Sequence, residues 1–256
     1  EPVIRSIPKT VEAEIVVDEK AKAAVANFSL VKIYKSKSKG IMHNKYCIID
    51  SARIITGSFN PTAASKGDYN NLLMINSTAL ASFYDSDFQR LKTGNNKETP
   101  TTAAVANSKP KLKTAILNKT AVEVYFCPKD GCAEAVMEEL RKAASSITFA
   151  AYSFTHPEIA NELVLKAFEG VAVAGVIEKS TTGSKYSKHE VLAKNGVRVV
   201  LESSKRLMHH KFFIIDNETV ITGSFNPTAN AAERNDENVI IIRSKELAKA
   251  YAEEFN

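Results

Sequence analysis

Hydrophobic residues recur with two different spacings along this 256-residue chain, one typical of strands and one typical of helices. Short runs rich in β-branched and aromatic residues predict strands, and segments whose apolar residues recur every three or four positions predict helices. Between residues 92 and 116 this periodicity gives way to a segment rich in Thr, Asn, Ser, Lys, Ala and Pro, which we predict to be a linker. Strands that alternate with helices on both sides of the linker predict an α/β layered fold.

Residues 1–91 are predicted to form a first half. Its predicted strands are Ala13 to Val17, Leu30 to Tyr34, Tyr46 to Asp50, Arg53 to Thr56 and Leu72 to Ile75. Its predicted helices are Asp18 to Phe28 and Thr78 to Leu91.

Residues 117–256 are predicted to form a second, more complete half. Besides two strands of the motif described below, its predicted strands are Val122 to Phe126, Ile147 to Phe154, Val171 to Ile177, Val197 to Leu201 and Val239 to Ile242. Its predicted helices are Cys132 to Ala144, Pro157 to Phe168, Lys185 to Ala193 and Lys245 to Phe255. The first half is shorter at its N-terminal side, because it lacks an opening strand, helix, strand and helix.

One pattern, H-x-K-x4-D-x6-G-S-x-N, occurs in both halves, and the second copy lies 166 positions after the first. Its fixed residues are His43, Lys45, Asp50, Gly57, Ser58 and Asn60 in the first copy, and His209, Lys211, Asp216, Gly223, Ser224 and Asn226 in the second. A lone copy would be read as an ordinary strand and turn. Two copies in register indicate two related halves that face each other.

Strand geometry orders the residues within each copy, because residues two apart project from the same face. His209 therefore lies beside Lys211, and His43 beside Lys45. The neighbours His210 and Asn44 point the other way. Odd spacing puts both aspartates of the pattern on the opposite face from the lysines, so we assign Asp50 and Asp216 a supporting role such as pairing with a base or capping a turn.

The residue types suit a phosphodiester. Lysine, hydroxyl and amide groups can bind the oxygens of a phosphate, and lysine also neutralises their charge. The candidate phosphate ligands are Lys45, Lys211, Ser58, Asn60, Ser224 and Asn226. Two histidines on opposite sides of phosphorus permit in-line displacement, in which one attacks to form a phosphohistidine and the other protonates the leaving oxygen. Too few carboxylates converge to build a two-metal site, so we expect no metal and no cofactor.

Composition and charge are compatible with this hypothesis. The net charge is +5, and basic loops occur at Lys35 to Lys39, Lys179 to Lys188 and Lys205 to Arg206. These loops would attract a phosphate backbone, although a solvated surface would look the same. No apolar run is long enough to span a membrane and no signal peptide is recognisable, so we expect a soluble protein of unknown location. Cys47 is predicted to be a small core residue, and a disulfide between Cys127 and Cys132 is left open.

The duplicated pattern resembles that of the phospholipase D superfamily. The resemblance implies two similar halves, each a mixed β-sheet flanked by helices, related by a pseudo-twofold axis around one active site. It implies phosphodiester cleavage or transfer without a metal, with His43 and His209 as the nucleophile and the general acid in either order. Both copies lie in one chain, so a monomer can hold a complete site.

The region after the second copy is similar to the small bacterial endonuclease branch, in which a glutamate followed by asparagine supports the site histidine. Glu237 and Asn238 match that pair, and we expect Glu237 beside His209. The first half departs from this pattern, because Asn70 and Asn71 stand where the glutamate and asparagine are expected. Asp68 is a candidate to replace the missing glutamate. A carboxylate beside His209 would favour its imidazolium, which favours His209 as the acid and His43 as the nucleophile. The same carboxylate could equally orient a nucleophile, so the assignment of the two roles stays open.

Three functional hypotheses follow. The first is a nuclease that cleaves DNA or RNA. The second is a phospholipase D or phosphatidyltransferase acting on phospholipid, which would need an apolar lip that the sequence does not reveal. The third is a nucleic-acid-binding protein whose site has decayed.

Overall fold

The computed structural model of the protein describes residue 8 and residues 10–21, 30–94 and 113–255. The described part of the first half contains strands β1 (Ala13–Val17), β2 (Val31–Lys35), β3 (Tyr46–Ile49), β4 (Arg53–Gly57) and β5 (Leu72–Asn76), followed by helix α1 (Thr78–Thr93). A short 3-10 helix, Ala64–Gly67, lies between β4 and β5.

The second half contains eight strands and five α-helices in the described ranges. In chain order they are β6 (Lys113–Leu117), β7 (Thr120–Cys127), α2 (Cys132–Arg141), β8 (Ser146–Ala151), α3 (Pro157–Phe168), β9 (Ala172–Glu178), α4 (His189–Lys194), β10 (Arg198–Glu202), β11 (Lys211–Ile215), β12 (Thr219–Gly223), α5 (Ala229–Glu233), β13 (Glu237–Arg243) and α6 (Lys245–Phe255). A 3-10 helix, Lys179–Thr181, follows β9.

The eight strands form one mixed sheet in the order β10-β9-β8-β11-β12-β13-β7-β6. Strands β8, β9 and β10 run parallel, and the others pair antiparallel. The mixed sheet flanked by helices confirms the predicted fold class.

The first half repeats this arrangement incompletely. Strands β1 and β2 form a parallel pair like β9 and β10, and β3, β4 and β5 form an antiparallel sheet like β11, β12 and β13. In the second half β8 joins these two parts. No counterpart of β8 occurs in the described part of the first half, so its strands form two separate sheets.

The strands of the motif are more buried in the second half than in the first. All five residues of β11 are buried, because α2 and α3 cover one face of the sheet and α6 covers the other. In β3 and β5 alternate residues are exposed, including Cys47, Ile49 and Met74. The prediction that Cys47 is a core residue is therefore wrong, since no described helix covers that face.

The two halves share a hydrophobic core. Helix α1 contributes Leu80 and Tyr84, which pack with Val124 and Phe126 of β7 and Ile240 of β13. The rings of Tyr84 and Phe126 meet edge to face with centroids 5.1 Å apart. Burying large side chains from both halves against each other fixes how the motif strands face across the interface.

Several predicted boundaries differ from the structure. Strand β6 begins at Lys113, inside the interval 92–116 predicted to be linker, because it pairs with β7 as a hairpin. Helix α4 covers only the end of the predicted helix Lys185 to Ala193. Most of the predicted helix Asp18 to Phe28 lies outside the described residues. Cys127 and Cys132 form a disulfide. None of the helices in the described ranges has the length and apolar character needed to cross a bilayer.

Candidate active site

Both motif histidines precede a strand, and each is held by the opposite half. The backbone amide of His43 donates to the carbonyl of Asp236 at 2.9 Å, and that of His209 donates to the carbonyl of Tyr69, also at 2.9 Å. Isolated parallel bridges join Met42 to Asp236 and Tyr69 to Met208. These reciprocal contacts support the predicted pseudo-twofold relation and bring the two histidines to one interface.

The lysines lie where strand alternation predicts them. Nζ of Lys211 is 3.0 Å from Nε2 of His209 and donates to the His209 carbonyl at 2.9 Å. Nζ of Lys45 donates to the carbonyl of His43 at 2.8 Å. Each lysine is therefore on the same face as its histidine, and both lysines are buried.

Glu237 pairs with His43 and not with His209 as expected. Nδ1 of His43 lies 2.8 Å from both carboxylate oxygens of Glu237, which is fully buried. The expectation was wrong because the segment that leads into β13 bonds to the backbone around His43, in the opposite half. The carboxylate of one half thus supports the histidine of the other.

Asn70 occupies the equivalent place beside His209. Nδ1 of His209 is 2.9 Å from Oδ1 of Asn70. Asp68, considered from sequence as the substitute, does not make this contact. One histidine therefore has a carboxylate partner, and the other has an amide.

The two motif serines hold Glu237 and Asn70 in place by hydrogen bonds. Oγ of Ser224 donates to Glu237 at 2.6 Å, and Oγ of Ser58 donates to Oδ1 of Asn70 at 3.0 Å. Both hydroxyls are fully buried and also accept a backbone amide hydrogen from the residue after the partner. Their predicted role as phosphate ligands is corrected, because these bonds commit both hydroxyls to the protein.

A second pair of asparagines links the halves behind the histidines. Asn238 accepts a hydrogen bond from Thr56 at 2.9 Å and donates to Asn44 at 3.0 Å. Asn71 donates to Thr222 at 2.9 Å, and its Oδ1 lies 3.4 Å from the ring of His210. His210 and Asn44 therefore point away from the site histidines, in agreement with strand alternation.

Burial and clustered positive charge govern protonation in the site. Burial lowers the pKa of Lys45 to about 8 and the pKa of Lys211 well below its usual value. Burial, with the nearby charges of Lys211, Lys45 and His43, lowers the pKa of His209 to about 3. These mutual influences across the interface indicate that both histidines and both lysines share one cleft.

Asp50 and Asp216 lie outside this cleft. At about 3.3 Å per residue, five positions place each roughly 16 Å along the strand from its lysine. Asp216 accepts hydrogen bonds from the backbone amides of Ala144, Ser145 and Ser146, at 2.7 to 2.8 Å. Asp50 is exposed in the turn after β3. The supporting role predicted for Asp216 is thus a turn cap, and the structure does not place either aspartate among the catalytic groups.

The Gly-Ser-x-Asn elements end β4 and β12. Gly57 and Gly223 have φ of 148° and 139°, and a side chain at either would clash with the carbonyl oxygen of Asn71 or Asn238. Asn60 and Asn226 follow and are half-buried. The side-chain oxygen of Asn226 is buried without a hydrogen-bond partner in the described part of the protein, and both asparagines stay predicted phosphate ligands.

Sequence reasoning gave no role to two residues at the site. The ring of Tyr152, at the end of β8, has its centroid 4.9 Å from that of His209. Arg90 of α1 forms an ion pair with Asp236, the residue before Glu237, at 2.8 Å. Tyr152 lies in the stretch Ala151 to Thr155, which is similar to the bacterial endonuclease branch, but its contact with His209 depends on the order of strands in the sheet. Within the described ranges, no group of three or more His, Cys, Asp or Glu side chains is arranged to hold a metal ion.

Comparison with known proteins gives consistent relatives. The chain is 36% identical over 151 residues to a phospholipase D of Rickettsia felis, covering 58% of this chain and 76% of that protein. It is 33% identical over 116 residues to the mitochondrial cardiolipin hydrolase of Xenopus tropicalis, covering 45% of this chain and 55% of that protein.

Solved structures show the same similarity. Nuc, a phospholipase D family member from Salmonella typhimurium, is 34% identical with a TM-score of 0.51, covering 52% of this chain and 90% of Nuc. A phosphatidylserine synthase of Haemophilus influenzae has the same fold, with a TM-score of 0.69 at 12% identity over 95% of this chain and 72% of the other. The family model described as "Cardiolipin synthase, PLD-like domain" matches residues 9–92 and 136–256. The chain therefore belongs to this PLD-like domain family, within the phospholipase D superfamily of phosphodiesterases.

Proposed function

We propose that the protein is a metal-independent phosphodiesterase that cleaves nucleic acid through a covalent phosphohistidine. The observation that carries the proposal is the meeting of two imidazoles and two buried lysines at the interface between the halves. A phosphate anion between the two lysines favours their charged forms, and in a buried site solvent screens that attraction only weakly. The imidazoles then supply the nucleophile and the acid.

Exposed cations on several segments around the cleft favour nucleic acid as the substrate. Lys39 lies on a loop held to the backbone of Arg234 through Gly40, and Lys66 lies on the turn before Asn70. The loop of residues 179–188 is bonded to the carbonyl of Tyr152. Neither Lys39 nor Lys66 forms an ion pair within the part of the chain that the structure describes. Such cations suit a continuous phosphate backbone.

Phospholipid is the second candidate. Ile41 and Tyr69, which flank the site residues Met42 and Asn70, are exposed by 46% and 36%. Two apolar side chains beside the cleft suit contact with acyl chains, and two of the relatives carry phospholipase D and cardiolipin hydrolase names. The patch is small compared with the surrounding positive charge, which is why nucleic acid ranks first. The third hypothesis, a decayed binding protein, ranks last, because both motifs keep their histidine and lysine contacts.

A substrate panel in excess EDTA tests the proposal. It contains single-stranded DNA, duplex DNA, RNA, phosphatidylcholine vesicles and cardiolipin vesicles, with the His209→Ala protein as the matched control. We expect cleavage of nucleic acid that the control lacks. Turnover of lipid alone would replace the first candidate with the second. Tight binding of nucleic acid without any cleavage would favour the third.

A further inference from the structure

Tyr152 directly follows the last residue of β8 and is fixed at both of its backbone groups. Its amide donates a hydrogen bond to the carbonyl of His210 at 3.0 Å, and its carbonyl accepts one from the hydroxyl of Thr181 at 2.7 Å. The preceding residue, Ala151, pairs with Lys211 across β8 and β11. The order of strands therefore places Tyr152 beside the second copy of the motif and holds its backbone there.

The ring of Tyr152 contacts two motif side chains of that copy. Its centroid lies 4.9 Å from the centroid of the His209 ring, and Nζ of Lys211 lies over the ring at 5.3 Å from its centroid. The same Nζ is 3.0 Å from Nε2 of His209, so each of the three groups contacts the other two. An ammonium group within about 6 Å of a ring centroid is attracted by the negative face of the aromatic ring.

Several groups act on Lys211, and their balance decides whether it is charged. Burial is the largest influence and lowers the pKa of Lys211 well below its usual value. The charge of Lys45, from the first half, lowers this pKa further, whereas the carboxylate of Glu237 at the start of β13 raises it. His209, two positions before Lys211, has its own pKa lowered to about 3 and is neutral at pH 7. The ring of Tyr152 adds an attraction that acts only on the charged form of Lys211.

Lys45, the equivalent lysine of the first half, has different surroundings. Among the described residues no aromatic ring lies under its ammonium group. Tyr152 follows β8, and the described part of the first half contains no counterpart of that strand. The aromatic contact is therefore confined to one of the two motif lysines, and the repeated motif by itself does not require it.

We propose that Tyr152 is a positioning residue for phosphate binding, because its ring holds the ammonium group of Lys211 in the cleft and stabilises the charged form that binds the anion. The proposal rests on the proposed function in one respect, namely that the anion bound between the motif lysines is the phosphate of the substrate. It concerns the aromatic ring of Tyr152 and not its hydroxyl.

The pH dependence of anion binding tests the proposal, with sulfate as the probe because its charge does not change in the range used. In calorimetric titrations at low pH, Tyr152→Leu should bind sulfate as tightly as the wild type, because Lys211 is charged in both proteins before the anion binds. At higher pH, where Lys211 of the free protein is neutral, the affinity of the variant should fall about 5- to 30-fold below that of the wild type, because the ring no longer stabilises the charged form. The alkaline decline in affinity should therefore begin at a lower pH in Tyr152→Leu.

Tyr186→Leu is the matched control. Tyr186 lies on the loop of residues 179–188, is exposed by 63% and has Nζ of Lys185 at 5.0 Å from its ring centroid. This variant loses a similar contact outside the motif and should keep the wild-type dependence of sulfate affinity on pH. Tyr152→Phe retains the aromatic ring and should keep it as well. Thermal unfolding checks that each variant is folded.

A series of fluorinated rings separates the charge distribution of the ring from its packing. Fluorine atoms withdraw electron density from the ring face, so Tyr152→Phe variants with one, two and three ring fluorines should show the alkaline decline at progressively lower pH. An unchanged decline across this series, or in Tyr152→Leu, would overturn the proposal. A loss of affinity in Tyr152→Phe as large as that in Tyr152→Leu would also overturn it, because the hydroxyl and not the ring would then be responsible.

Failure of this inference is distinguishable from failure of the proposed function, since sulfate binding requires no turnover. A wild-type protein that shows the expected sulfate binding and hydrolyses no phosphodiester would refute the function and leave the role of Tyr152 in the anion site standing. Cleavage of phosphodiesters by a wild-type protein whose sulfate binding is insensitive to Tyr152→Leu would refute the role of Tyr152 alone.

Discussion

Nζ of Lys211 lies 3.0 Å from Nε2 of His209. The contact joins the first residue of β11 to the residue two positions before it, as the alternation of an extended chain predicts. An incoming phosphate oxygen can take the Lys211 hydrogen bond, which frees Nε2 beside the phosphorus. The lysine thus links binding of a phosphate anion to release of the His209 ring nitrogen from its hydrogen bond.

Replacement of either site histidine should eliminate turnover of natural phosphodiesters. His43→Ala and His209→Ala should each lower kcat by about 1,000-fold or more, since a natural leaving oxygen needs both nucleophile and acid. Steady-state cleavage assays with matched circular dichroism spectra measure this. His189→Ala, on helix α4, is the control, and it should keep nearly full activity. Substantial cleavage by either site variant would refute the two-histidine scheme.

Anion binding should be accompanied by proton uptake. Lys45 has a pKa of about 8 because it is buried, so at pH 8.5 it is mostly neutral until an anion restores its charge. Calorimetry with sulfate, whose charge is constant in this range, in buffers of different ionisation enthalpy should show uptake at pH 8.5. The contribution of Lys45 should vanish well below pH 8, where the group is already protonated, and Lys45→Met should remove it. Equal heats in all buffers at pH 8.5 would contradict the prediction.

Asp216→Asn should lower stability and leave catalysis nearly unchanged. Partial burial acts to raise the pKa of Asp216, but hydrogen bonds from Ser146, Ala144 and Ser145 outweigh it and lower the pKa to about 2. A lowered folded-state pKa stabilises the protein above about pH 4, and this contribution is lost as the pH falls towards 2. Allowing for solvent screening, we expect a loss of about 1 kcal/mol in the free energy of unfolding at pH 7.

Denaturant titrations from pH 2 to pH 7 measure this effect. Asp50→Asn is the matched control, because that carboxylate is exposed at the same position of the first copy. A large drop in kcat for Asp216→Asn at unchanged stability would return Asp216 to the catalytic groups.

Gly223→Ala should be strongly destabilising. The backbone φ of Gly223 is 139°, and an added methyl group would clash with the carbonyl oxygen of Asn238. Strain together with the clash should lower the free energy of unfolding by about 3 kcal/mol. Chemical denaturation measures the change. Gly183→Ala is the control, since nothing lies within 4 Å of its added methyl, and equal effects at the two positions would refute the argument.

Arg90→Met should weaken the connection between the halves. Arg90 forms ion pairs with Asp87 at 2.7 Å and with Asp236 at 2.8 Å, and both carboxylates are buried. Removing the guanidinium leaves these charges without compensation, so we expect a loss of about 3 to 5 kcal/mol. Arg141→Met breaks a more exposed pair with Glu162 and should change stability by less than about 1 kcal/mol. Similar losses in both variants, measured by urea unfolding, would show that burial does not decide the effect.

The sequence determined the duplicated motif, the α/β class and the placement of each lysine beside its histidine. These features depend on local periodicity, because the pleat of a strand decides which residues share a face. Fewer strands and helices were predicted before the motif in the first half than in the second. Strands β1 to β5 lie close to their predicted positions for the same reason.

Tertiary structure decided which half supports which histidine. Glu237 reaches His43 across 194 positions of the chain, and Asn70 reaches His209 across 139. It also paired Ser58 with Asn70 and Ser224 with Glu237, and it placed Asp216 at a turn. Such contacts depend on the order of strands and on packing between halves, and no local pattern encodes them. The sequence thus supplied the chemical groups, and the fold decided their partners and their charges.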